Sequence, residues 1–333
     1  MDITHAQGCL IGMALGDALG APTEFLSIDE ILSTFPPHGI QAPIGDPARV
    51  TDDTQMALAV GRALIAAGRP YTPEAVSREL VRAFIDWLND PENDRAPGMT
   101  CITACEALEQ GNTWRDATRV SSKGCGANMR VMPVALLNVD APTRAALAQL
   151  QAAITHGHPT ALAASDLTAF VIAELGTGSA SGELLQRTRA YALRQREVYY
   201  GDCLGGLWER AYISSTPEGY CAYGWDECLR ALDRVQAAVM RQDRVTDPCL
   251  QTGAGWIAEE AFATALFCFL LYPDDPTAAL RRAALTSGDS DSIAAITGAF
   301  AGAYHGIGAW SPAWIARVEY RDQLLAQAAA LIA

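Results

Sequence analysis

Two short acidic clusters in this 333-residue chain have the composition of a metal site. Ser287-Gly288-Asp289-Ser290-Asp291-Ser292 alternates carboxylates with hydroxyls after a glycine and directly precedes an apolar helical run, residues 293–304. In an extended segment that alternation puts Asp289 and Asp291 on one side, and Ser292 is suited to cap the helix that follows. Two acids facing the same way repel unless a cation sits between them, and hard cations such as Mg²⁺ prefer such oxygen ligands. Taken alone, the pattern fits an acidic turn before a helix equally well. Thr51-Asp52-Asp53-Thr54, far upstream, repeats both the composition and the position before a helix. Together the two clusters could hold two divalent ions.

Three further stretches carry candidate chemistry. In Ser121-Ser122-Lys123-Gly124-Cys125-Gly126-Ala127-Asn128-Met129-Arg130, small residues let backbone N–H groups approach an anion. A helix beginning near Asn128 would add its dipole, and Lys123 and Arg130 flank the glycines. The Gly-Lys-Ser/Thr of a Walker loop is missing, and no β-rich run precedes the glycines as a dinucleotide fold requires. Thr155-His156-Gly157-His158-Pro159 holds two of the five histidines; alone, His-x-His reads as local polar structure. Asp17 and Glu24 lie at or beyond the end of the first helix, and surface solvation is the plain reading for Asp17. Glu259-Glu260, ahead of an apolar helix, fits stabilisation of a helix N-terminus.

Helices must position these groups. Half the residues are hydrophobic, aromatics are 8%, and β-branched runs are short. Helical patterns are expected over 4–20, 54–67, 73–88, 101–108, 161–175 and the apolar run ending near Leu271, with residues 26–50 and 89–98 as loops. Thr72-Pro73-Glu74 is a capped helix start with proline in the first turn. Gly8, Gly12, Gly16 and Gly20 recur every fourth residue, and Gly298, Gly302 and Gly306 repeat the stripe. Each glycine weakens a helix by about 1 kcal/mol relative to alanine, so both helices are expected to be central and very closely packed. No internal period, long linker or low-complexity tract divides the chain, and a single all-α domain over residues 1–333 is expected.

A net charge of −14 argues against general affinity for nucleic acid or an anionic membrane surface. Nine cysteines without framework spacing read as reduced thiols. The N-terminus lacks the basic residues of a signal peptide, and the longest apolar run, 261–272, is too short to span a bilayer. A cytoplasmic location is expected.

The stretch Gly16-Asp17-Ala18-Leu19-Gly20-Ala21-Pro22-Thr23-Glu24-Phe25, the Thr51 cluster, Lys123 to Arg130, Thr155 to Pro159 and the Ser287 cluster occur in the order found in the ADP-ribosylglycohydrolase family, which the chain resembles nearly end to end. The resemblance implies a compact orthogonal helical bundle around two Mg²⁺, sometimes Mn²⁺. It makes Thr51, Asp52, Asp53, Asp289, Asp291 and Ser292 metal ligands, the family having threonine where Ser290 and Ser292 stand. It assigns Gly124, Cys125, Gly126, Ala127, Asn128 and Met129 to the diphosphate and neighbouring ribose of the ligand, and His158 to the ribose region. Glu24, Asp53 and Asp291 become candidate catalytic carboxylates for cleavage at ribose C1 through an oxocarbenium-like transition state. The implied ligand is ADP-ribose on a protein or small molecule, with arginine as the leading acceptor and a monomer as the expected state. Arginine-directed members carry an acid within an Asp-x-Gly pattern before the third helical run. Ala96-Pro97-Gly98 stands in that place here, and Asp94 is out of register. Two other readings remain: a catalytically silent ADP-ribose binder, and a two-metal hydrolase of another nucleotide conjugate.

Overall fold

The computed structural model describes residues 1–333 and is built from helices, with no β-strand beyond isolated bridges. The longer helices are α1 (Ile3–Gly20), α2 (Asp52–Ala67), α3 (Pro73–Leu88), α4 (Met99–Glu109), α5 (Ala141–Ala153) and α6 (Pro159–Leu175), followed by α7 (Leu184–Gln195), α8 (Pro217–Arg241), α9 (Ala258–Leu271), α10 (Pro276–Ala284), α11 (Ser290–His305) and α12 (Arg321–Ile332). Their boundaries follow local chemistry. The Asp2 carboxylate accepts from the Thr4 and His5 amides to start α1. Thr72, Thr216 and Asp275 each cap a helix whose first residue is proline, which lacks an N–H that would go unpaired there.

Both glycine helices are closely packed, as the spacing predicts, and the partner of each stripe is the other. α1 and α11 run antiparallel, and their backbones touch along the whole seam. A Cβ on Gly8 would lie 2.4 Å from the Gly302 carbonyl oxygen, on Gly12 2.2 Å from that of Gly298, on Gly16 2.0 Å from that of Ala294 and on Gly20 2.4 Å from that of Ser290. Trp310 closes one end, its indole N–H donating to the Gly8 carbonyl at 3.0 Å. One apolar core runs from Ala6 to Leu331. The C-terminal helix α12 packs on α1 and α2, and Gln327 of α12 donates to the Leu58 carbonyl at 3.0 Å.

Three helix starts differ from expectation. A short helix, Ile28–Thr34, capped by Ser27, lies within residues 26–50, which were expected as loop. α11 begins at Ser290, with Asp289 at its N-cap and Asp291 and Ser292 in its first turn. The acids therefore converge through helix geometry, not through alternation in an extended segment, and Ser292 is no cap. No helix begins near Asn128: the chain makes a 3₁₀ turn, Cys125–Ala127, and only a short helix, Met132–Ala135, follows. Val131 and Pro133 disfavour an earlier helical start.

Gly12→Ala should overpack the seam and cost about 3 kcal/mol, against less than about 0.5 kcal/mol for Gly182→Ala, whose Cβ meets nothing within 4 Å. Urea unfolding midpoints of the two variants measure the difference, and equal midpoints would show that the seam tolerates a methyl group.

Candidate active site

The seam sets where the acids meet. α1 runs into a 3₁₀ turn, Ala21–Thr23, held by the Thr23 hydroxyl, which lies 2.8 Å from the Ala284 carbonyl oxygen and 3.0 Å from Ser290 Oγ. The Ser290 hydroxyl in turn donates to the Gly20 carbonyl at 3.0 Å. Glu24 follows directly, and its carboxylate meets those of Asp289 and Asp291, one oxygen from each lying within 4.8 Å of the others. The Asp289 amide is held by the Ala254 carbonyl at 2.8 Å.

Asp17 positions the second cluster. Far from being solvated, it is fully buried inside α1. It accepts from the Thr51 amide at 2.8 Å, the Thr54 amide at 3.1 Å and the Thr54 hydroxyl at 2.5 Å. A glycine-rich apolar neighbourhood in the sequence hid this role; the start of α2, where orphan amides need an acceptor, was the available signal. Glu319 braces the same loop from outside. It accepts from the Val50 amide at 3.0 Å and pairs with Arg95 at 2.6 and 3.1 Å, while Arg95 also donates to the Val50 carbonyl at 2.7 Å.

These groups line a cavity of about 360 Å³. Glu24, Asp52, Asp53, Asp289, Asp291 and Ser292 form its acidic wall. Gly124, Cys125, Gly126 and Met129 form the facing wall with His156, and Ala96, Pro97, Gly98, Met99 and Cys101 an apolar side. Phe25 and Trp256 stand at the mouth. Thr51 lies behind the wall, its hydroxyl accepting from the Asp53 amide at 3.3 Å as the cap of α2. Ala127 and Asn128 are also behind it: Asn128 is fully buried and donates to the Ala258 carbonyl at 3.1 Å.

Several expectations are corrected. The residue at the cavity is His156; His158 caps α6, its Nδ1 accepting from the Thr160 amide at 3.2 Å, because Pro159 fixes that helix start. Burial holds the His156 imidazole down at about 3 and that of His158 at about 4, so both are neutral. Lys123 and Arg130 are not free for an anion. Lys123 bridges Glu227 at 2.9 Å and Glu259 at 2.6 Å. Arg130 is buried over the Phe84 ring, 4.3 Å from its centroid, and donates to the Gln151 carbonyl and the Thr155 hydroxyl. Glu259 thus serves this ion pair, while Glu260 accepts from the Ala254 amide at 3.0 Å. Asp94 is exposed and pairs with Arg49 at 2.6 Å. His156 lay within a stretch singled out from sequence, but Phe25, Trp256 and Met99 were not singled out as site residues. For these three, the adjacency of Phe25 to Glu24 was the available sign.

The donor set fits hard divalent cations. It is all oxygen, and Asp53 Oδ2 is buried with no hydrogen-bond partner, which an ion would satisfy. Burial and then the Asp291 charge push Asp52 up to about 8 and Glu24 to about 9, and the same causes raise Asp53 and Asp289 well above the ordinary range. Asp17 rises to about 7, again from burial first. Because these native values exceed the unfolded ones near 4, the unfolded state releases its protons first as pH rises, and metal-free stability falls from about pH 4 to pH 9. Mg²⁺ should therefore raise Tm by about 5 °C or more at pH 8 and by little at pH 5. Differential scanning fluorimetry with and without EDTA reads this, and a shift independent of pH would contradict it.

Residues 2–333 match the family model described as ADP-ribosylglycohydrolase. The chain is 34% identical to the ADP-ribosyl-[dinitrogen reductase] glycohydrolase of Rhodospirillum rubrum over 48% of its own length and 54% of that protein, so it spans about half of that relative. It is 27% identical to the ADP-ribosylhydrolase ARH3 of Homo sapiens over 94% of this chain and 88% of that one. A solved structure titled ADP-ribosylglycohydrolase-related protein complex superposes with a TM-score of 0.70 at 24% identity, covering 99% of this chain and 97% of the other, and shares the fold. With the family model spanning essentially every residue, this chain belongs to the ADP-ribosylglycohydrolase family.

Proposed function

We propose that this protein is a Mg²⁺-dependent hydrolase that cleaves the bond between ribose C1 of ADP-ribose and an acceptor side chain, arginine foremost, releasing ADP-ribose. The observation that carries the reading is the meeting of Glu24, Asp289 and Asp291 at one end of a cavity whose other wall is the turn at Gly124–Gly126. Asp52, Asp53, Asp289, Asp291 and Ser292, with Thr51 behind them, would hold two ions, Mg²⁺ or Mn²⁺. Bound ions supply positive charge that fixes ribose hydroxyls and acidifies water.

The chain's own groups account for the rest. Cleavage at C1 develops positive charge on the ribose ring, and carboxylates fixed in advance around it stabilise that charge more than mobile water does. Asp53 and Asp291 are almost dry, as such stabilisation requires. Glu24 is partly exposed at the mouth, where it can exchange a proton with an attacking water or with the departing acceptor atom. The turn at Gly124–Gly126 offers close backbone approach for the diphosphate, and a Cβ at Gly126 would sit 2.7 Å from Cys101 Sγ and 3.1 Å from the His156 ring. Neutral His156 offers a polar edge without charge.

The test is release of ADP-ribose from ADP-ribosyl-arginine and ADP-ribosyl-serine peptides with Mg²⁺, with EDTA, and with Asp289→Ala. Release should be abolished by EDTA and fall at least about a hundredfold in the variant. AMP or free phosphate as product would replace the reading with phosphate-ester hydrolysis, and tight ADP-ribose binding without release would replace it with a silent binder.

A further inference from the structure

The mouth of the cavity carries two aromatic rings that the reaction as described does not use. Phe25 is 66% exposed and Trp256 43% exposed, yet they stack on each other with centroids 5.4 Å apart and planes 16° from parallel. Met99, 70% exposed, lines the same cavity. Phe25 also holds a left-handed backbone, φ +66°, a conformation that a bulky residue adopts only at a cost. Exposure and backbone strain therefore coincide on the residue directly after Glu24.

The stack is anchored on both sides. Phe25 follows the turn pinned by Thr23, and the Trp256 carbonyl accepts from the Cys125 amide at 3.1 Å, which ties the indole to the glycine turn. At 5.4 Å the rings leave no room for a third ring between them, so a ligand can lie only against an outer face. Five carboxylates line the cavity behind them, and no lysine or arginine does. An exposed aromatic face with no cationic side chain beside it favours a planar cation over a neutral group.

Resting on the hydrolase reading above, we infer that the Phe25–Trp256 stack is the acceptor subsite and that it selects a guanidinium, taking over the recognition that an acid in place of Ala96 would give. Its ligand is the arginine side chain on ribose C1, held by cation–π contact outside the cavity, while the ADP-ribose half lies within.

The test compares kcat/KM for ADP-ribosyl-arginine and ADP-ribosyl-serine peptides of one sequence in the wild type, Trp256→Ala, Phe25→Asn and Trp256→Phe. Asparagine tolerates the left-handed backbone, so Phe25→Asn removes the ring with little cost to the fold, and Trp256→Phe keeps the stack. The arginine-to-serine ratio should fall about fivefold in Trp256→Ala and Phe25→Asn, the worth of one exposed cation–π contact, and hold in Trp256→Phe. Calorimetric affinity for free ADP-ribose should stay within about twofold of wild type. Equal losses on both peptides, or losses that track ADP-ribose affinity, would overturn the inference and leave the hydrolase reading standing. If the wild type cleaves neither peptide, the hydrolase reading fails, and calorimetry then decides the subsite. Tighter binding of the arginine conjugate than of ADP-ribose, lost in Trp256→Ala, supports it; equal binding overturns it.

Discussion

Everything at the site depends on the backbone contact between α1 and α11. With glycine at Gly8, Gly12, Gly16, Gly20, Gly298 and Gly302, the two helices approach until each stripe meets the other's carbonyl oxygens. Such contact fixes register as a side-chain interface does not, because a peptide ridge fits only one groove. The pairing brings the end of α1 to the start of α11: Gly20 touches Ser290 and Asp291. Glu24, one tight turn further on, must then face Asp289 and Asp291. Slipping the seam by one helical turn would move it about 5.4 Å, more than the 4.8 Å within which these carboxylate oxygens meet.

Assembling so many acids costs free energy, and the fold offsets it locally. α2 and α11 both present their N-terminal turns to the cluster, where partial positive charge favours carboxylates by about 0.3–1 kcal/mol each at exposed sites and more when partly buried. Asp17 sits behind the front acids and satisfies the amides of Thr51 and Thr54. What dipoles and amides do not cancel is burial and, after it, the mutual repulsion, which together raise Asp52, Asp53, Asp289 and Glu24. The apolar seam supplies the rigidity that keeps the acids from spreading apart. A cation held there would link its own binding to fold stability through the same residues.

How much of this was legible in the sequence depended on whether the determining interaction was local. The glycine stripes announced close approach along both helices, because that repays their helix cost at this spacing. The acid-hydroxyl clusters announced a convergence of carboxylates, which Glu24, Asp289 and Asp291 make. Asp17 failed because its partners, Thr51 and Thr54, lie more than thirty residues away and nothing near it in sequence shows burial. Lys123 and Arg130 failed similarly: their partners Glu227, Glu259, Gln151 and Thr155 lie more than twenty residues away in the chain. His156 and His158 could not be separated by composition. Only the proline that fixes the start of α6 assigns one to the cap and frees the other for the cavity.

The 89–98 loop shows how a wall with little packing of its own can be held at working distance. Ala96, Pro97 and Gly98 offer no polar side chain, and Ala96 has φ +56°, so these three do not hold themselves. Arg95 does it for them. Its guanidinium, only 5% exposed, reaches across to Glu319 and the Val50 carbonyl. Glu319 takes the Val50 amide as well, so one carboxylate near the C-terminal helix braces both the segment leading into Thr51 and, through Arg95, the apolar wall. A two-pronged pair of this kind resists rotation as well as separation, which a lysine could not do with one nitrogen. The acidic cluster and the apolar wall of the cavity are therefore coupled through Arg95 and Glu319, neither of which lines the cavity.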